Sequence, residues 1–235
     1  SSGKPAVLSG TISIGSGAKA KLFFSTHPSA STTAGANFAA QPVVLIQDTY
    51  GNTVTSASDT ITIAIQSNPG SGTLSGATTA VASSGAATFS GLNINKASAG
   101  YTLRASSGTL ATVDCNAFTI TPAGAVTINY TTQPSTTAAA GVTFTTQPAI
   151  TLYDTYSNIC TNDSSTTVIL SAVLASDGTT AGTGTLSGAL TVTASSGVVT
   201  YSGLSYSKTE DIKLKASSSG KPAVLSGTIS IGSGA

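Results

Sequence analysis

Apolar side chains recur at every second position along most of the chain. Three isoleucines in residues 61–65 alternate with Thr and Ala, and in residues 212–216 an Ile, a Leu and an Ala alternate with two lysines. This period of two predicts β-strands that bury one face. No segment shows a helical period, and breaks rich in Gly, Ser and Asn recur about every 8–12 residues, as in an antiparallel sandwich. The pattern therefore predicts an all-β fold.

The pattern occurs twice along the chain. Residues 35–42 (GANFAAQP) and 48–52 (DTYGN) match residues 141–148 (GVTFTTQP) and 154–158 (DTYSN) at an offset of 141 − 35 = 106. Each half has about 106 residues and about seven strands, which is the size and pattern of an immunoglobulin-like sandwich. We predict tandem immunoglobulin-like antiparallel β-sandwiches, with domain one at residues 19–124 and domain two at residues 125–235.

The two ends of the chain have the same sequence. Residues 1–18 (SSGKPAVLSGTISIGSGA) recur letter for letter as residues 218–235, at a spacing of 218 − 1 = 217. A fold needs a pattern of apolar and polar positions and tolerates drift, so this identity favours a window cut from a tandem array. We predict that residues 1–18 are the closing strand of a preceding domain. The alternatives are a donor strand that completes a neighbouring subunit, or a strand added by design.

Composition narrows the classes of function. Charged residues make up 7% of the chain and the formal net charge is +1, so no strong field attracts nucleic acid or anionic lipid. No apolar run is long enough for a membrane span, and the absence of Met fits an excised piece of a longer protein. Low charge also means little repulsion between copies, which favours lateral self-association of neighbouring repeats into a fibre.

The two matching turns DTYGN and DTYSN are the clearest candidate sites. Their polar and aromatic positions are Asp48, Tyr50, Asn52, Asp154, Tyr156 and Asn158. An Asp–Asn pair can hold a cation, or the Asp can form an Asx-type turn, which we favour because a hard cation needs six or more oxygens. The first strand of each domain leaves the link and the second returns to it, so each turn is expected beside the preceding domain. We predict that Tyr50 and Tyr156 pack into the domain junctions and stiffen them.

Two cysteines and one histidine are the remaining candidate chemistry. Cys115 and Cys160 lie in different halves, so neither forms the bridge across one sandwich that antibody domains use. They can form a disulfide between domains or between chains, or remain free or buried thiols. His27 has Gln133 as its counterpart in the other half, which argues against a catalytic triad. We expect no enzymatic activity, no cofactor and no metal site.

The order of the motifs resembles a known family. The turn DTYGN, then GTLSG at 72–76, GAATFSGL at 85–92 and YTLRAS at 101–106 resemble the bacterial immunoglobulin-like repeats of invasin- and intimin-type surface proteins. The resemblance implies an extracellular rod of stacked sandwiches that holds an adhesive tip away from the cell. The sequence departs from the family in two respects, because it has no tip module and few of the acidic residues that hold calcium between such domains.

These observations predict a structural role at the cell surface, as the shaft of a fibre, filament, sheath or adhesin built from tandem immunoglobulin-like domains. Each sandwich holds its own core, and short links set the pitch of the array. The alternative is an adhesin segment that binds a glycan or a host protein directly. A cluster of exposed aromatic side chains would support that alternative, but the seven Tyr and six Phe mostly follow the buried phase.

Overall fold

The computed structural model describes residue 3 and residues 8–233. Within this part of the chain there are strands, turns and bends but no helix, and hence no helix long and apolar enough to cross a membrane. The strands build two β-sandwiches, which we call sandwich one (strands β1–β11) and sandwich two (strands β12–β22). The predicted all-β, immunoglobulin-like sandwich fold is confirmed.

Sandwich one combines a three-stranded and a six-stranded sheet around one core. The smaller sheet has the order β1-β3-β7, and the larger one has the order β2-β11-β9-β4-β6, with β10 paired to β9. Strand β2 runs parallel to β11, and a short ribbon joins β5 to β8. The strands are β1 (Lys21–Thr26), β2 (Ser31–Thr33), β3 (Val43–Gln47), β4 (Thr60–Ser67), β5 (Leu74–Ser75), β6 (Thr79–Val81), β7 (Ala86–Thr88), β8 (Asn93–Ile94), β9 (Ser98–Ser106), β10 (Val113–Asp114) and β11 (Phe118–Thr121).

Sandwich two repeats this arrangement strand for strand. Its sheets have the orders β12-β14-β18 and β13-β22-β20-β15-β17, with β21 paired to β20 and a ribbon of β16 and β19. The strands are β12 (Thr127–Thr132), β13 (Thr137–Ala139), β14 (Ala149–Tyr153), β15 (Thr167–Leu174), β16 (Leu186–Ser187), β17 (Thr191–Thr193), β18 (Val198–Thr200), β19 (Ser205–Tyr206), β20 (Asp211–Ser218), β21 (Lys221–Leu225) and β22 (Ile229–Gly232).

Each sandwich has its own hydrophobic core. On β9, Tyr101, Leu103 and Ala105 are buried, while the residues between them are half-buried. The counterpart strand β20 shows the same alternation, with Ile212 and Leu214 fully buried. These are the strands with the clearest period of two in the sequence, and they pair with β4 and β15 at the centre of the larger sheets. Because the two cores are separate, the relation between the sandwiches depends on the contacts at their junction.

A segment with exposed apolar side chains precedes sandwich one. Residues 8–18 form no strand, and Ile12 and Ile14 are 77% and 90% exposed. In the identical C-terminal sequence their counterparts, Ile229 and Ile231, are buried in sandwich two. The same short sequence is therefore a core strand in one place and an exposed segment in the other.

The prediction that residues 1–18 close a preceding domain stays a prediction. It falls in part on residues 1, 2 and 4–7, which lie outside the described residues, as do residues 234 and 235. Among the described residues, every sheet belongs to sandwich one or sandwich two, and none belongs to an earlier sandwich with which residues 8–18 could pair.

Candidate interaction site at the junction of the sandwiches

The turn at residues 154–158 of sandwich two is organised by one carboxylate. Asp154 is 3% exposed, and its Oδ1 accepts hydrogen bonds from the N–H groups of Tyr156 and Asn158, each at 2.8 Å. Its Oδ2 accepts from Asn158 Nδ2 at 2.9 Å and from the N–H of Ala123 at 3.0 Å. Ala123 belongs to the link between β11 and β12, so this Asx-type turn also fixes the link.

Hydrogen bonding keeps the buried carboxylate ionised. Burial alone raises the pKa of Asp154, but the four hydrogen bonds outweigh burial and hold the pKa below its ordinary value. A carboxylate that accepts several N–H bonds is strongly favoured over the neutral acid, because protonation places a hydrogen where a donor already points. The turn and the link are therefore held together most firmly when Asp154 is charged.

Asn158 connects the turn to sandwich one. Its Oδ1 accepts a hydrogen bond from the N–H of Ala97 at 3.0 Å, and its Nδ2 donates to the carbonyl oxygen of Asn95 at 3.0 Å as well as to Asp154. The side chain is 7% exposed. Both amide hydrogens and the amide oxygen of one buried side chain are thus used, and the partners lie in two different sandwiches.

Tyr156 supplies the apolar part of the same contact. Its ring packs against the core of sandwich one, and its hydroxyl lies over Gly35, where an added Cβ atom would be 2.0 Å away. Real atoms never approach so closely, so Gly35 has to lack a side chain for the ring to fit. Lys96 Nζ donates to the carbonyl oxygen of Tyr156 at 2.5 Å. We call the surface formed by Gly35 and residues 95–97 the distal face of sandwich one.

The matching turn at residues 48–52 of sandwich one has the same internal bonds and an exposed outer side. Asp48 is 1% exposed and accepts from Tyr50 N and Asn52 N, from Asn52 Nδ2, and from the N–H of Gly17 at 2.8 Å. The bonds from the Asn52 side chain and from Gly17 lower the pKa of Asp48 to about 2. Tyr50 is 88% exposed. This turn, with Tyr50 and Asn52 on its outer side, is the proximal face of sandwich one.

The cation-binding alternative for these turns receives no geometric support. Both oxygens of Asp48 and of Asp154 have protein donors within 3.0 Å, which leaves them without room to act as metal ligands. In the described part of the chain, no three His, Cys, Asp or Glu side chains group closely enough to hold a metal ion. The structure therefore presents the turns as Asx-type turns that bind the backbone.

An open groove of about 550 Å³ runs beside the junction. Its lining comes from both sandwiches and includes Thr121, Pro122, Asn158 and Thr161. Within the described lining, the one charged side chain is Lys96, and its ammonium group already bonds Tyr156. The groove thus belongs to the contact between the sandwiches and offers no acid–base pair for catalysis.

Both cysteines are free, buried thiols in different cores. Cys115 Sγ accepts a hydrogen bond from Leu103 N at 3.1 Å, and its counterpart Ser226 makes the same bond to Leu214 N at 2.8 Å. Burial raises the pKa of the Cys115 thiol. Burial, followed by the charges of nearby aspartates, raises the pKa of Cys160 to about 11. Within the chain the two thiols are thus not joined in a disulfide between the domains, and Cys115 takes the place of a structural hydroxyl. A disulfide between chains stays a prediction.

His27 also has a structural role. Its Nδ1 accepts a hydrogen bond from Asn116 N at 3.0 Å and its ring stacks on Phe24, with the ring centroids 5.5 Å apart. In the other half, Gln133 Oε1 accepts from Gly227 N at 2.9 Å. Histidine and glutamine therefore cap the same backbone position, as their alignment in the sequence suggests.

Sequence reasoning located the two turns but not what the second one binds. Gly35 and Lys96 emerged as functional residues from the structure alone. A signal was present, because both recur in the second half as Gly141 and Lys208 although most of their neighbours differ. The bonds of Asn158 go to backbone atoms next to Lys96. Because every residue has these backbone atoms, the sequence at positions 95 and 97 does not reveal the contact.

Solved structures of several known proteins match this chain at low sequence identity. No family model and no curated protein matches this chain. A β-glycosidase from Bacteroides vulgatus matches 91% of the chain over 25% of its own length, with 12% identity and a TM-score of 0.38. A β-glucuronidase from Parabacteroides merdae matches 92% of the chain over 25% of its length, with 11% identity and a TM-score of 0.34. The chain thus spans about a quarter of these glycosidases.

The titin domains z1z2, solved in complex with telethonin, match 92% of the chain over 98% of their own length, with 12% identity and a TM-score of 0.28. At such identities and scores we draw neither activity nor partner from any of these structures. The assignment of the chain to the immunoglobulin-like fold rests on its own strand order, two sandwiches of the same topology joined by a bonded link.

Proposed function

We propose that this chain is a structural segment of an extended array of immunoglobulin-like sandwiches, the shaft of a fibre or adhesin outside the cell. The observation that carries the proposal is the side chain of Asn158. It bonds Asp154 in its own turn of sandwich two and the backbone of residues 95 and 97 in sandwich one. A shaft stays extended only if neighbouring domains keep a fixed relative orientation. Buried hydrogen bonds between domains supply such a constraint, since breaking them leaves polar groups unpaired.

Two further features support the same role. The link has five residues between β11 and β12, and one of them is a proline, which restricts bending. The identical ends of the sequence favour repetition of the whole unit. A location outside the cell is part of the proposal, and it rests on the resemblance to bacterial surface repeats and on a composition poor in charge.

A matched pair of glycine variants tests whether the junction is rigid. Gly35 and Gly141 are counterparts with positive φ angles of 74° and 79°, and Asn is the side chain that best tolerates this backbone region. A Cβ atom at position 35 collides with Tyr156, whereas one at position 141 has nothing within 4 Å. Gly35→Asn should therefore open the junction, and Gly141→Asn should carry the same backbone cost without doing so.

The readout is the rotational tumbling of each sandwich by ¹⁵N NMR relaxation, together with solution scattering. We expect the unchanged protein and Gly141→Asn to tumble as one elongated body, with one diffusion tensor for both sandwiches. Gly35→Asn should give two faster, separate correlation times and a broader distance distribution. Independent tumbling of the two sandwiches in the unchanged protein would refute the proposed shaft.

A further inference from the structure

The proximal face of sandwich one has the inner structure of a junction, but none of the described residues packs on it as a partner. Asp48 bonds Gly17 N as Asp154 bonds Ala123 N, and 123 − 17 = 154 − 48 = 106, so the chain approaches both turns in the same register. Yet Tyr50 and Asn52 are exposed, while Asn158 is buried against sandwich one. The turn is thus preformed for a contact that only its copy in sandwich two makes within the described residues.

The opposite end of sandwich two has the backbone of a distal face. Gly141 N donates to Tyr206 O at 2.7 Å, as Gly35 N donates to Ile94 O at 2.9 Å. The next bonds also correspond, because Ala140 N donates to the last residue of β22 as Ala34 N donates to the last residue of β11. We call Gly141 and residues 207–209 the distal face of sandwich two. All four residues are exposed.

Each group that sandwich one offers to the turn at 154–158 has a counterpart on this second face. Gly141 leaves open space where a tyrosine ring lies over Gly35. Lys208 corresponds to Lys96, which bonds the carbonyl oxygen of Tyr156. The remaining partners, Ala97 N and Asn95 O, are backbone atoms. Different side chains at their counterparts, residues 209 and 207, therefore leave that part of the recognition unchanged.

The path of the chain agrees with the same contact. Residues 8–15 repeat residues 225–232, so Gly15 corresponds to Gly232, the last residue of β22. Gly17 lies two residues after Gly15, just as Ala123 lies two residues after Thr121, the last residue of β11. The closing strand of a preceding sandwich, ending at Gly15, would precede Tyr50 by 50 − 15 = 35 residues, just as Thr121 precedes Tyr156 by 156 − 121 = 35 residues.

We propose that the proximal face of sandwich one binds the distal face of another sandwich of the second type. Tyr50 packs over Gly141, Asn52 bonds the backbone of residues 207 and 209, and Lys208 bonds the carbonyl oxygen of Tyr50. This inference rests on the proposed function and names its partner. We assign the partner to the preceding repeat of the same chain, because Gly17 approaches the first turn in the register in which Ala123 approaches the second. The junction within a repeat and the junction between repeats then have the same geometry.

The test uses a chain in which residues 19–235 follow Ala235 directly, compared with the 235-residue protein. Tetranitromethane nitrates exposed tyrosines, and mass spectrometry of peptides measures the modified fraction of Tyr50 and of Tyr156. We expect rapid nitration of Tyr50 in the 235-residue protein. In the longer chain about half of the Tyr50 should be protected, because one of its two copies follows a sandwich of the second type.

Two variants of the longer chain locate the contact. Gly141→Asn in the first copy should restore full nitration of Tyr50, since its side chain fills the space over which the ring packs. Gly220→Asn is the matched control, because Gly220 also has a positive φ of 70° and open space around it but lies in the turn between β20 and β21. It should leave the protection of Tyr50 unchanged. Protection that survives Gly141→Asn would overturn the assignment of this face.

A concentration series of the 235-residue protein separates the two sources of the partner. Protection of Tyr50 confined to the longer chain supports the preceding repeat, whereas protection that grows with the concentration of the 235-residue protein would overturn that assignment in favour of a second copy. Equal and rapid nitration of every Tyr50 in all samples would refute the inference. Tyr156 keeps this result distinct from failure of the proposed function, because a rigid junction within the chain protects Tyr156 whatever happens at Tyr50.

Discussion

At the scale of single residues, Asn52 and Asn158 show how one side chain can hold a turn or join two domains. Each bonds the aspartate of its own turn, at 3.0 Å and 2.9 Å. Of these two asparagines, Asn158 also bonds backbone groups of the other sandwich, and within the described residues Asn52 makes no such bond. Comparing variants of Asn52 and Asn158 therefore separates the contribution of the turn to the free energy of unfolding from the contribution of the junction.

We predict that Asn158→Ala lowers the free energy of unfolding by about 1–3 kcal/mol more than Asn52→Ala, because it leaves buried polar groups of both sandwiches without partners. The measurements are urea unfolding and amide hydrogen exchange. In Asn158→Ala the amide of Ala97 should exchange much faster, while Asn52→Ala should leave that amide protected. Equal effects of the two variants on Ala97 would contradict the role of Asn158 at the junction.

The two cysteines give a second prediction at this scale. Cys115→Ser should change the free energy of unfolding by less than about 1 kcal/mol, because Ser226 makes the same bonds in the other half. Cys160→Ser should cost about 1–3 kcal/mol, since Cys160 is fully buried and the shorter C–O bond moves the hydroxyl away from Ala123 O, already 3.4 Å from Sγ. Thermal unfolding of both variants checks the order, and greater damage from Cys115→Ser would contradict it.

Individual residues also mark the limit of what the sequence predicts. The phase of Asp48 and Asp154 predicted an Asx-type turn beside the link, because hydrogen bonding within a turn is local. The contact of Tyr156 with Gly35 joins residues 156 − 35 = 121 positions apart. Such a contact depends on how two separately folded sandwiches meet, which the alternation of apolar residues within each strand does not encode.

At the scale of elements, the turn and the link act as one unit whose stability depends on charge. The pKa of Asp48 is about 2, against an ordinary value of 3.8, and the pKa of Asp154 is also lowered. A carboxyl group with a lowered folded pKa stabilises the fold above its unfolded pKa and loses that contribution as the pH falls through its folded pKa. The sensitive range therefore lies between about pH 4 and pH 2.

We accordingly predict a melting temperature that is flat from pH 7 to about pH 5 and falls steadily from about pH 4 to pH 2. Loss of the hydrogen bond that Ala123 N in the link donates to Asp154 should also release the junction, so the two sandwiches should tumble separately at the acid end. Circular dichroism and ¹⁵N relaxation at several pH values measure the two effects. A melting temperature that already falls between pH 7 and pH 5 would point to other groups.

Strands were the most predictable elements, for a physical reason. On β9 and β20 the side chains alternate between core and surface, and apolar and polar residues alternate in the sequence with the same period of two. Residues 9–15 show where the same reasoning stops, since they carry the sequence of β22 and of the segment before it but form no strand. A strand needs a partner sheet, and pattern alone does not say whether the partner is present.

At the scale of the whole molecule, the two cores are separate and the junction sets the direction of the chain. The longest strand, β9, has nine residues, which corresponds to about 30 Å at 3.3 Å per residue. With its turns, one sandwich is roughly 35–40 Å long, so a stacked pair advances by roughly 70–80 Å. Because a bent junction shortens this advance, the maximum dimension of a longer array reports on the geometry of its junctions.

We predict that the chain extended by a second copy of residues 19–235 has a maximum dimension roughly 70–80 Å greater than the 235-residue protein, because the proposed array stacks two more sandwiches end to end. Solution scattering measures the difference. Gly141→Asn in the first copy should shorten the mean dimension and broaden its distribution, since the middle junction then bends while the outer ones stay closed, and Gly220→Asn should do neither. An increase below about 50 Å in the unchanged longer chain would mean that its middle junction is bent, in conflict with one geometry for both kinds of junction.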